Sequence, residues 1–453
     1  MTTAHFAIDE TRSLLRLAGP LIVNNLAIAG MQFADAVMAG RLGAEALAAI
    51  AVGSSVWFIG FMLALGLMMA ISPIAARHLG EGTEALIGRY TRQGVYLGIG
   101  LAIPVIVLAH IAVEPFLTFI GIDISFREMT VRYVEAISWG APGMFVFLAL
   151  RFTTEGIGHT KPIMYTSILA LVVNVFLNWV FIYGKLGAPA MGAVGCGVAS
   201  AITMWLIMLV LGSYILLNKR YVPLQIFSRV APLRPQALKE IIVLGVPIAV
   251  TITAEAGLFN AVSILMGTLG PNIAAAHQIA INFASTAFMI PLAISAATTV
   301  RVSYRLGLGE PENARTTGII GITVCMLIMF ISATFLLVGR DLVVSMYTND
   351  AAVTSIAISL LLMAAIFQVA DGMQVGAAGA LRGYKDTRWP MIMTTFAYWV
   401  IAFPLAYLAA VTYRMEPRFT WAGFVAGLTV AAVLLSFRFF RISREPRPLA
   451  VQP

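Results

Sequence analysis

Apolar runs of twenty or more residues recur along the chain from one end to the other, and they decide what it can fold into. A run of that length is an α-helix spanning a bilayer. At 1.5 Å per residue it crosses a hydrocarbon layer of roughly 30 Å, where every backbone N–H and C=O must be satisfied within the segment itself. Reading the runs between clusters of charge predicts twelve helices, near 14–39, 46–71, 92–113, 131–150, 162–184, 191–217, 238–267, 273–299, 315–338, 351–380, 389–412 and 419–440. Composition agrees: 60% of the 453 residues are apolar and 11% are charged, against about 25% charged in a soluble protein. The polar start of the chain, with Asp9 and Glu10, precedes a run too long for a signal-peptide core and is read as a retained tail.

The charges orient the spans. Of the 29 Lys and Arg, 22 fall in the amino-terminal tail, the loops after even-numbered helices and the carboxy-terminal tail, and 7 fall on the other side. The positive-inside rule then puts both termini in the cytoplasm of a multi-pass inner or plasma membrane protein. The net charge of +8 is therefore topology, and no nucleic-acid partner is expected. Two cysteines, Cys196 and Cys325, make neither a disulfide framework nor a metal-ligand spacing.

The chain also repeats itself. Residues 29–43 read AGMQFADAVMAGRLG and 256–270 read AGLFNAVSILMGTLG. At an offset of 227, Pro20 falls on Pro247, Gly30 on Gly257, Gly40 on Gly267, Gly43 on Gly270 and Gly82 on Gly309. Further on, Leu150–Arg151 parallels Leu381–Arg382 at offset 231. Six helices per half is an even number, so both halves enter the membrane in the same direction, as a parallel repeat. The predicted fold is an all-α integral membrane protein of two six-helix bundles: an amino-terminal lobe over 1–222, a basic cytoplasmic linker over 223–238, and a carboxy-terminal lobe with a cytoplasmic tail over 239–453.

Three acids lie deep in the apolar runs. Asp35 is the only charge between Arg16 and Arg41, Glu255 the only formal charge between Glu240 and Arg301, and Asp371 the only one between Asp350 and Arg382. A charge at mid-bilayer costs about 2.5–3.5 kcal/mol even on the lenient insertion scale. Away from their ends the predicted spans hold no Lys or Arg to pair with them, so the acids call for a proton, a metal ion or a cationic substrate. At the repeat offsets they fall opposite Val262, Ile28 and Gly140, so each half carries its own set. A bland alternative is a protonated acid serving as glue between helices.

Amides gather at helical spacing. Asn174 and Asn178 are four apart and share a face, and with Asp35 they offer hard oxygen ligands to a small cation. Gln278 and Asn282 repeat the i, i+4 pattern, while Gln368 and Gln374 flank Asp371 by three residues on each side. His277 reads as a hydrogen-bonded structural histidine before a proton relay, and Gly192, Gly195 and Gly197 as close helix packing. No nucleophile–base pair, Walker motif or zinc signature appears, so an enzyme is not expected.

These residues carry a resemblance. With Asp35 in FADAVMAGRLG, Glu255 in AEAGLFNAV, AAAHQIAINFAS at 274–285 and Asp371 in VADGMQVGAAGALRGYKDTRWPM, the chain resembles the multidrug and toxic compound extrusion (MATE) family, in its NorM-like branch, over essentially its whole length. The resemblance implies a V-shaped, twelve-helix antiporter that expels amphipathic organic cations, including drugs and toxic compounds, while Na⁺ or H⁺ enters. It implies a cation site at Glu255 and Asp371 and a second at Asp35, Asn174 and Asn178. The partners are the lipid bilayer and small organic cations, the working unit is a monomer, and no cofactor is needed beyond the coupling ion. Relatives that bind sodium beside the last acid can offer a tyrosine one turn earlier, where this chain has Phe367. That favours protons, with Na⁺ bound through Gln278 or Gln368 as the alternative.

Rivals come from other classes. A flippase for a lipid-linked precursor, from the same broader superfamily, would need basic residues for its anionic cargo. A channel would betray itself by current far above carrier turnover, and a membrane enzyme would need a catalytic set.

Overall fold

The computed structural model describes residues 3–227 and 232–444. Residues 228–231 of the predicted linker, Arg229 among them, and the end of the tail from 445 lie outside the described residues. Among the described residues there is no β-strand, and eleven helices are long and apolar enough to cross a membrane. A bent pair completes the twelve: α6 (Ile124–Ser138) and α7 (Ala141–Gly156) meet at 47°. Pro142 accounts for the break, because it lacks the N–H that would bond the Ser138 carbonyl.

Contacts divide the chain into two compact units, Pro20–Ala249 and Met1–Gly19 with Val250–Pro453. The first holds most of α1 (Thr3–Gly40), then α2 (Ala44–Met69), α3 (Ile71–Gly80), α4 (Glu84–Ile111), α5 (Val113–Phe119), α6, α7, α8 (Lys161–Tyr183), α9 (Ala193–Leu217) and the start of α10 (Pro235–Thr268). Its core is built on Met68, Ile71, Phe145 and Leu148. Glycines allow close crossings here. A Cβ at Gly66 would sit 2.2 Å from the Ala249 Cα, and one at Gly245 would sit 2.6 Å from the Leu67 Cα. Gly195 and Gly197 are packing glycines as expected, held against the Phe181 and Tyr133 carbonyls, whereas a Cβ at Gly192 would meet only the Leu42 Cδ1 at 3.9 Å, and its φ is a positive 56°.

The second unit holds the rest of α10, then α11 (Pro271–Gly307), α12 (Pro311–Ser345), α13 (Ala351–Gly383), α14 (Arg388–Phe396), α15 (Phe403–Tyr407) and α16 (Pro417–Ile442). Trp421, Phe367, Phe424 and Tyr398 form its core. The first turns of α1 belong to this unit. Leu14 and Ala18 pack with Ile294 and Ala297, and buried Glu10 accepts a two-pronged pair of hydrogen bonds from Arg301 at 2.7 and 2.6 Å and one from Arg305 at 2.8 Å.

The repeat is written in the backbone. Gly43, which precedes α2, has φ 123° and ψ 173°; its counterpart Gly270, which precedes α11, has φ 124° and ψ 162°. Gly82 and Gly309 match in the same way, at φ 69° and 75°. These are conformations that side chains with a Cβ rarely adopt, so duplication keeps glycine there.

Candidate functional site: two carboxylate clusters

In the first unit, α8 presents Asn174 and Asn178 on one buried face, as their spacing predicts. The Asn178 Nδ2 donates to the Asp35 carboxylate at 2.5 Å and lies 3.2 Å from the Asn174 Oδ1. The Asn178 Oδ1 is buried with no hydrogen-bond partner among the described residues. The fully buried Cys196 thiol lies beside Asp35, and Tyr133 lies within electrostatic reach of both. Sequence reasoning missed Cys196 and Tyr133, which arrive from α9 and α6. The Tyr183 hydroxyl donates to the Met38 carbonyl at 3.1 Å and so ties α8 to α1 one turn beyond Asp35.

The second unit pairs Glu255 of α10, half-buried, with Asp371 of α13, buried. The two carboxylates are close enough to interact electrostatically. Around them lie polar atoms that find no hydrogen bond among the described residues: one Asp371 oxygen, the Gln374 Oε1, and both amide atoms of fully buried Gln368. Each such group costs about 1–3 kcal/mol if it stays unsatisfied. The cluster is therefore rich in buried oxygen atoms that accept no hydrogen bond among the described residues. Its components suit a small hard cation or a proton.

One expectation needs correcting. Hydropathy places Arg382 beyond its span, but α13 continues to Gly383, and the Arg382 charge reaches Glu255. Its Nη2 donates to the Ser295 Oγ at 2.9 Å. Glu255 therefore has a basic group in electrostatic reach, because the helix outruns the apolar stretch that predicted it.

Gln278 and Asn282 do share a face of α11, but both are exposed, and no hydrogen bond among the described residues links their side chains to Glu255 or Asp371. Phe367 packs its ring 5.7 Å from Trp421 and 6.3 Å from Phe424, so it is a wall of the aromatic core. His277 is structural in its bonding. The Trp421 Nε1 donates to its Nδ1 at 3.1 Å, which leaves the ring proton on Nε2, 2.9 Å from the Ser263 Oγ.

Comparison with known proteins follows the same two halves. The MatE family profile matches residues 20–180 and again 247–408, reproducing the offset of 227 from Pro20 to Pro247. The chain is 37% identical over 440 residues to the multidrug resistance protein NorM of Vibrio vulnificus strain YJ016, covering 96% of each chain. It is 38% identical over 449 residues to the multidrug resistance protein MdtK of Photorhabdus laumondii, covering 98% of each. Its fold is similar to that of the eukaryotic MATE transporter AtDTX14, with a TM-score of 0.86 at 22% identity over 97% of this chain and 98% of that one. It is similar also to a MOP superfamily transporter from Pyrococcus furiosus, with a TM-score of 0.88 at 21% identity over 96% of each. Duplicated halves, full-length similarity and shared fold converge: this chain belongs to the MatE family.

Proposed function

We propose that this protein is a multidrug efflux antiporter that exports amphipathic organic cations in exchange for H⁺ or Na⁺. The observation that carries the reading is the pair of carboxylate clusters, one in each unit, each with buried oxygen atoms that lack a hydrogen-bond partner among the described residues. The names of the NorM and MdtK relatives support multidrug resistance as the task.

Drug and coupling ion compete for the same negative charge. A carboxylate and its amide neighbours hold a small cation when one is bound and attract an organic cation when it is not. Apolar surface on the drug adds about 25 cal/mol per Å² buried. Ion arrival from outside neutralises the acid, weakens the drug's hold and releases it. Alternating access couples the two flows, because ion and drug favour different states of the carrier or exclude one another. The excess of Lys and Arg on one side supports a bacterial inner-membrane orientation with both termini in the cytoplasm.

Fold alone does not choose the cargo. The Pyrococcus transporter has been described with a binding pocket of reverse polarity that suggests a different function. Here the groups isolated in the apolar runs are acids, which suit cations rather than lipid-linked phosphates. Titrating ethidium into weakly buffered purified protein is expected to release protons, or pre-bound radiolabelled Na⁺. Release is expected to vanish in the Glu255→Gln, Asp371→Asn double variant. Wild-type protein that binds ethidium and releases neither ion contradicts the competition.

A further inference from the structure

The eleventh span carries a buried tyrosine that no step above uses. Between α14 and α15 the chain makes a wide π-type turn over Ala397–Ala402. Its cause is Pro404, which cannot supply the N–H that would bond the Val400 carbonyl, so the ladder widens just before it. The turn sends two successive aromatic side chains to two different helices. Tyr398 is fully buried, and its hydroxyl accepts a hydrogen bond from the Gln374 Nε2, one turn beyond Asp371 on α13. Trp399 stays partly exposed and donates its indole N–H to the Ala254 carbonyl at 3.2 Å, beside Glu255 on α10. Gly257 makes room for that indole, since a Cβ there would lie 3.1 Å from the ring.

The Tyr398 hydroxyl therefore sits within electrostatic reach of both Glu255 and Asp371, and on the amide that flanks Asp371. Phe367, one turn before Asp371, offers no oxygen, and neither amide atom of Gln368 has a hydrogen bond among the described residues. We propose that Tyr398 is a positioning residue of the coupling-cation site: acting through Gln374, it orients the amide so that the unpartnered Gln374 Oε1 faces the ion held by Asp371 and Glu255. Trp399, on the same turn, fixes the distance between the two helices that supply those acids. This rests on the reading of Glu255 and Asp371 as the coupling site given above.

Tyr398→Phe removes one oxygen and keeps the buried ring. In proteoliposomes, with ethidium efflux followed against external H⁺ or Na⁺, the ion concentration for half-maximal exchange is expected to rise about three- to tenfold, the worth of one hydrogen bond. The maximal rate and the ethidium affinity are expected to stay at wild-type values. Gln374→Leu shifts the same ion profile, and the double variant shifts it no further than the larger single change, because both act on one contact. A purely structural role would lower the amount of active protein and leave the half-maximal ion concentration unmoved. Either Tyr398→Phe with a wild-type ion profile or fully additive shifts overturns the proposal. If Tyr398→Phe inserts poorly, the Gln374→Leu profile decides: a wild-type profile there overturns it equally. Glu255→Gln and Asp371→Asn in the same assay separate the two claims. If those variants are inactive while Tyr398→Phe is normal, only the role of Tyr398 fails; if they transport normally, the coupling site itself fails.

Discussion

The Asn178 amide holds the Asp35 carboxylate with a 2.5 Å hydrogen bond, while its own carbonyl oxygen is buried without a partner among the described residues. A residue kept only for packing between helices would satisfy both ends of its amide. Asn178→Leu removes the donor and the orphaned acceptor together, so stability is expected to change by less than about 1 kcal/mol, as for other hydrogen bonds between membrane helices. Ethidium efflux from proteoliposomes is expected to fall at least about tenfold, since roughly 1.4 kcal/mol of ion binding is a factor of ten. Thermal unfolding in detergent and efflux, measured on the same preparation, check the two halves of this expectation.

Glu10 fixes the start of α1. Its carboxylate is 1% exposed and bonded by both Arg301 and Arg305. Glu10→Ala leaves Arg301 and Arg305 without that acid, though Glu310 still accepts from Arg305 at 2.8 Å. Breaking a buried pair costs about 3–5 kcal/mol, and the partly exposed arginines bring the expected loss to about 2–3 kcal/mol. The unfolding midpoint reads it directly. Residue 10 contacts neither carboxylate cluster in the hydrogen bonds described, so the substrate affinity of the folded fraction is expected to hold.

His159, in the link between α7 and α8, lies 3.1 Å from the Tyr221 hydroxyl. Burial, then the nearby Arg220 and Lys161 charges, hold its pKa below the usual 6.5. The unfolded chain therefore takes up a proton at a higher pH than the folded one, and stability rises with pH through this window. As pH falls from 7.5 to below 6.5, the wild-type unfolding midpoint is expected to drop more than that of His159→Gln. Parallel midpoints across that range would show that the ring does not titrate differently on folding.

Gly66 is the tightest point of the crossing between α2 and α10. A Cβ added there would lie 2.2 Å from the Ala249 backbone, which leaves nothing flexible to give way. Gly66→Ala is expected to cost about 1–3 kcal/mol through forced backbone movement. Gly40→Ala, where nothing lies within 4 Å, is the matched control. Surface expression and detergent stability distinguish the two.

How much of this was legible in the sequence depends on what physics acts locally. Gly43 and Gly270 betrayed the duplication because a positive φ filters residue type at a single position. Asp35, Asn174 and Asn178 were legible because a lone acid in an apolar run is costly and a spacing of four puts two amides on one helix face. The reach of Arg382 to Glu255 was not legible, because hydropathy ends where charge begins while α13 runs on to Gly383. The first helix begins at Thr3, well before residue 14, for the same reason: Glu10 is buried against arginines some 290 positions away. Tyr398 and Cys196 left no local trace, since each matters through partners on other helices. The π-type turn that aims Tyr398 depends on one proline whose effect falls on the preceding turn.

The central claim is that intramembrane acids exchange a coupling ion for an organic cation. Purified protein in liposomes, loaded with ethidium and given an inward Na⁺ gradient or an inward proton gradient separately, tests it most directly. One gradient is expected to drive efflux, and Glu255→Gln or Asp371→Asn is expected to abolish it at normal protein levels. Efflux that ignores both gradients, or that proceeds at the wild-type rate in those two variants, contradicts the account.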